Sequence, residues 1–221
     1  MFKLDPQMII NPFPPLYKAD EDGLIAVSEF ITPELILAAY CHGIFPWPSD
    51  DHYVLWFAPP ERTIIRFRDF HIPHGARREL KKKRFKFSVD QHFDQVIKAC
   101  ASSPRAEGGT WITPKLISAY REMHRLGFAM SFETLDEDGN LVGGLYGMRI
   151  GRYFSGESMF FNEPGASKFA LINTIGYLER EYGCSWLDSQ VGNHFTEMFG
   201  AIDLPRDVFM RLHKLALKVN S

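Results

Sequence analysis

At 221 residues and 45% hydrophobic content the chain can bury a full core, and 19 phenylalanines within 14% aromatics argue against intrinsic disorder. Three cysteines, Cys41, Cys100 and Cys184, with no C-x-x-C pair, disfavour a disulfide framework or a thiolate zinc site and fit a reducing compartment. The N-terminus shows no basic-then-apolar leader, no apolar run could cross a bilayer, and a net charge of -2 gives no global attraction to nucleic acid. A cytoplasmic protein with no membrane partner is expected.

The stretch through Tyr17, rich in proline and apolar residues, reads as an extended arm packed on the body of the protein. Thr32-Pro33-Glu34 starts a helix, with a capping hydroxyl and then proline at the first helical position, and Gly43 ends it. Ile44-Phe45-Pro46-Trp47-Pro48 turns the chain, while Val54-Leu55-Trp56-Phe57 and Thr63-Ile64-Ile65-Arg66-Phe67 read as short strands of a small N-terminal unit. A basic helix is predicted over 75–84 and a strand over 85–89. Asp90 is positioned to cap a helix whose Phe93, Val96, Ile97 and Cys100 share a face. Thr113-Pro114 repeats the helix start, and Gly127 stops that helix. Strands over 128–135, 141–150 and 153–161, joined by Asp138-Gly139-Asn140 and Gly151-Arg152, form an antiparallel meander. A helix over 165–181, a strand over 184–189 and helices near 193–199 and 205–217 follow. This order predicts an α+β fold with an acetyltransferase-type core, divided into a small α/β domain over 1–62 and a larger domain over 63–221.

The densest chemical signal runs from Leu141-Val142-Gly143-Gly144-Leu145-Tyr146-Gly147 to Gly156-Glu157-Ser158-Met159-Phe160. Glycines in adjacent strands mark either a cleft lining or tight strand packing, and spacing alone does not choose. Glu157 interrupts an apolar strand, as a solvated edge residue or a site residue. Asp188 closes a buried strand, where it suits a general base, an amine anchor or a helix cap; Gln190, two residues on, would share its face. Asn193 and His194 suit helix capping. No nucleophile elbow, P-loop or H-E-x-x-H spacing occurs, so neither metal nor other cofactor is expected. Arg77, Arg78, Lys81, Lys82, Lys83 and Arg84 form a basic run that needs a counter-surface, and phosphate is favoured over plain solvation.

Taken together these residues resemble the leucyl/phenylalanyl-tRNA protein transferases. The likeness is carried by Phe13-Pro14-Pro15, Ala39-Tyr40, Gly43-Ile44-Phe45-Pro46-Trp47, Gly109-Thr110-Trp111-Ile112, Ala119-Tyr120, the glycine-rich strands, Ala166-Ser167-Lys168, Asp188-Ser189-Gln190-Val191 and Pro205-Arg206. The chain departs from the family pattern at Ser28-Glu29-Phe30-Ile31, at Phe57-Ala58-Pro59-Pro60-Glu61-Arg62, at Gly165 and at Ser189. The resemblance implies a small N-terminal domain on an acetyltransferase-like domain, without coenzyme A. It implies transfer of Leu, Phe or Met from aminoacyl-tRNA to proteins with N-terminal Arg or Lys, marking them for degradation, by a cytoplasmic monomer. It implies Asp188 as the group that polarises or accepts a proton, with Gln190 against the amine, Glu157 holding the cationic acceptor and Asn193 orienting the substrates. Trp47, Trp111 and Tyr120 become walls for the 3′ adenosine and the acceptor, Leu145, Phe154 and Met159 the side-chain pocket, and the basic helix a grip on acceptor-stem phosphates.

Two other readings compete. One is an acyl-CoA-dependent N-acyltransferase, with Pro164-Gly165-Ala166-Ser167 as part of a pyrophosphate loop. The other is a non-catalytic RNA-binding module, which leaves Glu157, Asp188 and Gln190 without a task.

Overall fold

The computed structural model describes residues 9–48, 52–81, 84–103 and 110–218. Lys82, Lys83 and most of the loop before Thr110 lie outside them, as does the side chain of Lys81.

The chain opens as the proline-rich arm predicted, with Phe13 buried against Trp56 at 5.0 Å between ring centres. A three-stranded antiparallel sheet follows, in the order β1-β3-β2, from β1 (Leu24–Ser28), β2 (Phe45–Pro48) and β3 (Val54–Phe57). Helix α1 (Pro33–Cys41) links β1 to β2, and Thr32 Oγ1 accepts from Leu35 N as its cap. The segment Phe45-Pro46-Trp47-Pro48, read from sequence as a turn, is strand β2. Its prolines are tolerated because it is an edge strand, where the missing N–H groups cost no ladder bond on the open side.

Strand β4 (Glu61–Arg66) leaves this unit and enters a seven-stranded sheet of order β10-β4-β9-β8-β7-β6-β5. The prediction that this strand belongs with the small unit is thus corrected: its partners are β9 (Trp186–Asp188) and β10 (Ile202–Pro205), both from the last quarter of the chain. The predicted meander is present as β6 (Ala129–Leu135), β7 (Leu141–Ile150) and β8 (Tyr153–Phe161), with β5 (Lys86–Val89) added at the edge. Only β8 and β9 run parallel among the paired strands of the described residues, meeting at Ser155 and Asp188.

Side-chain alternation divides the large sheet into two faces. Met130, Phe132, Leu145, Phe154 and Leu187 pack with Ala170, Leu171, Ile175 and Leu178 of α5 (Ala166–Tyr182). Tyr146, Met148, Tyr153 and Trp186 pack with α3 (Phe93–Ser102), α4 (Pro114–Arg125), α7 (Arg206–Ala216) and the small unit. Helix α2 (His74–Lys81) is the basic helix, and α6 (His194–Glu197) is a single turn after β9. Asp90 does not cap α3, whose N-cap is His92. Asp90 instead adopts φ +56° and its Oδ1 accepts from Ser131 N at 2.7 Å, tying the start of α3 to β6.

Candidate active site

Two irregularities in regular structure build the site. In the β7–β8 ladder Tyr146 faces Ser158 and Gly147 faces Gly156, so Glu157 is the extra residue of a β-bulge. A bulge re-aims the side chain it carries. Glu157 Oε2 accepts from the Tyr120 hydroxyl at 3.0 Å, and Tyr120 in turn meets the Tyr40 hydroxyl at 2.7 Å. Burial holds both phenols well above their usual range, so at neutral pH both keep their protons. Burial also pushes the Glu157 carboxyl up to about 7, against the lowering effect of hydrogen bonds from Tyr40, Ser155 and Tyr120.

The second irregularity is Gln190, a non-glycine residue at φ +57° just past β9. That left-handed backbone is disfavoured for a side-chain-bearing residue and persists because its surroundings fix it. Its N–H donates to Asp188 Oδ1 at 2.9 Å and its carbonyl accepts from Thr63 N at 3.0 Å. Its Nε2 donates to Ser155 Oγ at 2.7 Å and to Glu157 Oε1 at 3.2 Å. Both amide protons are used, and Oε1 has no partner among the described residues while Gln190 lines the cavity below.

Asp188 is fully buried and saturated. Arg62 donates to it twice, Nε to Oδ1 at 2.8 Å and Nη2 to Oδ2 at 2.7 Å, while the Tyr153 hydroxyl donates to Oδ2 at 2.5 Å and Gln190 N–H fills Oδ1. A carboxylate has about four acceptor positions, and all four are taken. Burial lowers the Arg62 pKa, but the charge and hydrogen bonds of Asp188 outweigh it and leave the guanidinium more firmly protonated than usual. Arg62 also donates from Nη1 to Gly43 O at 3.2 Å and lies between the rings of Phe45 and Phe209, 4.4 and 4.8 Å from their centres. The Asp188 side of β9 faces the small unit, whereas the cavity lies on the Leu187 side, and Asp188 does not line it. This geometry is at odds with the expectation that Asp188 takes a proton from substrate.

The cavity, about 210 Å³, opens where β8 and the chain after β9 part. Leu145, Phe154 and Met159 line it as the resemblance implies, joined by Ile65, Leu171, Leu187 and Phe195, with Glu157, Ser189 and Gln190 among the polar lining. Ligand pockets for whole small molecules run to about 300–1,000 Å³, so this one suits a single side chain. Asn193 reaches the lining, but its Oδ1 accepts from Thr196 N at 3.0 Å in a capping box on α6. Among the glycines of the motif only Gly156 lines the cavity. A Cβ on Gly143 would strike Ala166, one on Gly144 the Phe132 carbonyl, and one on Gly147 the Ser155 carbonyl and the Phe154 ring, so these three serve tight packing.

The aromatic walls divide. Trp47 (41% exposed) and Trp111 lie 5.9 Å apart and present a partly open aromatic surface. Tyr120 is fully buried, so it offers no face to a substrate, and its contribution is the hydroxyl on Glu157. On the basic segment Arg77 and Arg78 are exposed. Arg84 is not free: Nη2 donates to Glu79 at 3.3 Å and to the Pro164 carbonyl, Nη1 to Glu163 at 3.4 Å, and its guanidinium stacks on Phe85.

Sequence reasoning quoted Tyr40 and Arg62 within motifs but gave them no task, and it missed Tyr153, Ser155 and His213 altogether. His213 on α7 is buried and pushed down to about 4, so its neutral ring donates from Nε2 to the Tyr40 carbonyl at 2.8 Å. Among the described residues no cluster could hold a metal ion.

In an α+β fold, the site thus joins a side-chain cavity at the parting of two parallel strands to a carboxyl pushed up to about 7 and an amide side chain. The chain matches the family model of leucyl/phenylalanyl-tRNA protein transferase over residues 64–214 and that of its N-terminal domain over residues 31–60. It is 41% identical over 204 residues to the leucyl/phenylalanyl-tRNA--protein transferase of Magnetococcus marinus, covering 90% of this chain and 86% of that one. It is 44% identical over 203 residues to the one from Xanthomonas axonopodis pv. citri, covering 90% and 81%. Among solved structures, L-PGS from Bacillus licheniformis is similar with a TM-score of 0.44 at 14% identity, over 79% of this chain and 67% of that one. The chain belongs to the leucyl/phenylalanyl-tRNA protein transferase family and is an aminoacyltransferase.

Proposed function

We propose that the cavity takes the side chain of a leucyl, phenylalanyl or methionyl group still esterified to tRNA, and that Gln190 and Glu157 present the N-terminal amine of an Arg- or Lys-starting protein to that ester. The observation that carries this reading is the placement of Gln190 Oε1, an acceptor with no partner among the described residues, beside an apolar cavity and next to a carboxyl titrating near 7.

The reaction needs little activation, because the ester is reactive and an N-terminal amine has a reference pKa of about 7.7–8.0. The amine nitrogen bonds to the ester carbonyl carbon, the bond to the 3′ oxygen of the tRNA breaks, and one proton must pass from nitrogen toward that oxygen. Gln190 Oε1 orients the amine by accepting one N–H. Glu157, ionised near neutrality, attracts the cationic acceptor and accepts its proton, the two pKa values being close enough for easy transfer. Asp188 acts at one remove: by fixing Gln190 N–H, with Arg62 and Tyr153, it holds Gln190 in its left-handed backbone. Asn193 orients the donor from the cavity rim.

Trp47 and Trp111 supply the aromatic surface for the 3′ adenosine, and Arg77 and Arg78 the exposed cations for acceptor-stem phosphates. Coenzyme A fits less well. The start of α5, where a pyrophosphate would sit, is crowded by the Glu79 side chain, and Arg84 there is already paired with Glu79 and Glu163. Among the described residues no helix is long and apolar enough to cross a membrane, and we place the enzyme in the cytoplasm, as a monomer that tags proteins for degradation.

The test incubates the protein with labelled leucyl- or phenylalanyl-tRNA and peptides starting with Arg, Lys or Ala. Label is expected on the Arg and Lys peptides alone. Equal labelling of the Ala peptide, or transfer from an acyl-CoA at a comparable rate, would refute the reading.

A further inference from the structure

The outer face of the small sheet is apolar where an antiparallel sheet facing water is ordinarily polar. Val27 and Trp47 both pair with Leu55, so the three side chains stand in one row across β1, β3 and β2 on the same side. Val54 and Trp56 of β3 point the other way and are buried. In the row Val27 is 53% and Trp47 41% exposed, and Leu55 is half-buried. One rung along, the same face is covered: Phe45, paired with Phe57, is buried against the Arg62 guanidinium. The open row therefore starts at the wall of the candidate site, where Trp47 meets Trp111, and runs outward across the sheet. Among the described residues, six of the ten exposed large apolar side chains fall between Ile10 and Tyr53, so this exposure is a property of the small unit rather than of the surface at large.

The charge of this unit is one-sided. Through Glu61 the chain holds nine Asp and Glu against two Lys, while the remainder is net basic. Glu21 and Asp22 precede β1 and Glu29 follows it; all three are exposed and pair with no cation among the described residues. Such a surface repels the phosphates of tRNA and attracts a chain that is both cationic and apolar. We propose that the row Trp47, Leu55 and Val27 is the docking surface for the acceptor polypeptide behind its first residue, and that it favours apolar and basic residues there. The proposal rests on Arg- and Lys-starting proteins being the acceptors. Two strand spacings, about 10 Å, separate Trp47 from Val27, the length of roughly three residues of extended chain. With the first residue in the site, about positions three to five lie on the row. Trp47 then borders both substrates, the 3′ adenosine toward Trp111 and the acceptor toward Leu55.

The experiment measures kcat and KM with leucyl-tRNA for three acceptors: the amidated dipeptide Arg-Ala, and two longer peptides that start with Arg-Ala and continue with either Leu-Lys-Val or Glu-Ser-Asp. In the wild type the apolar, basic peptide should have a KM about threefold to tenfold below that of the dipeptide, and the acidic peptide should gain nothing. In the double variant Val27→Ser, Leu55→Thr, the KM of the apolar, basic peptide should rise to the dipeptide's, with kcat and the KM for leucyl-tRNA unmoved. Equal KM values for the two longer peptides in the wild type overturn the proposal, and so does an advantage that survives in the double variant. A higher KM for leucyl-tRNA in that variant also overturns it, and would give the row to the unpaired nucleotides of the tRNA. If the double variant does not fold, judged by thermal melting, Glu21→Lys with Glu29→Lys takes its place: discrimination between the two longer peptides should shrink about threefold, and unchanged discrimination overturns the proposal. A wild type that labels none of the three acceptors refutes the acceptor reading itself, whereas transfer to all three without discrimination refutes only the docking surface.

Discussion

Glu157 and Asp188 are both carboxylates of the site, and their surroundings give them opposite tasks. Asp188 accepts four hydrogen bonds in full burial, two of them from the Arg62 guanidinium, and does not line the cavity; Glu157 lines it, faces no cation and is pushed up to about 7 by burial. The active form of Glu157 is the ionised one, so kcat/KM should rise with pH through about 7. The N-terminal amine adds its own rise at about 7.7–8.0. In Glu157→Gln the lower limb should vanish and only the amine's remain, with a rate loss of about 100-fold to 10,000-fold. A Glu157→Gln profile identical in shape to the wild type's would remove Glu157 as the base. Glu157 was legible in the sequence because it interrupts an apolar strand and Asp188 because it closes one; Gln190, expected to share the Asp188 strand face, instead lies past β9 at φ +57° and lines the cavity that Asp188 does not reach. Arg62 was not: it is one cation at the start of a strand, and its partner lies 126 positions away. Tyr40, Tyr120 and Tyr153 look like ordinary core rings, and only their hydroxyl partners, visible in space, set them apart.

At the scale of elements, the site depends on a fault in a ladder. The glycines that drew attention as a possible cleft lining mostly allow β7 to lie close to its neighbours, and one of them, Gly147, sits at the register shift that sets Glu157 apart. Gly147→Ala would force a Cβ into the Ser155 carbonyl and the Phe154 ring. It should cost about 1–3 kcal/mol in urea unfolding and lower transfer further, because both the cavity wall and the bulge shift. Gly156→Ala, whose nearest neighbour would be 3.7 Å away, should fold normally. Most element positions followed from periodicity and from the two hydroxyl-proline helix starts, which the structure confirms with Thr32 and Thr113 as caps. Strand β2 did not, because two prolines in four residues look like a turn until the strand is known to lie at an edge. Asp90 misled for a similar reason: a side chain that can cap a helix can equally bond a neighbouring strand.

At the scale of the molecule, net charge says little and its distribution more. With Arg84 tied down, the exposed cations described on the basic helix are Arg77 and Arg78. Replacing both with Ala should raise KM for tRNA and flatten the plot of log affinity against log salt by roughly two phosphate contacts' worth, leaving kcat little changed. An unchanged salt slope would move the tRNA surface elsewhere. The sheet order has a consequence for how the protein is made. Strand β4 leaves the ribosome well before the strands that flank it, β9 and β10. Until they follow, β4 has two bare edges, the condition in which strands pair with the wrong chain. Its closure waits on contacts of long sequence separation, which form slowly. The same docking delivers Asp188 to Arg62, so a nascent or truncated chain has no assembled site, and activity itself reports that the final strands have gone home.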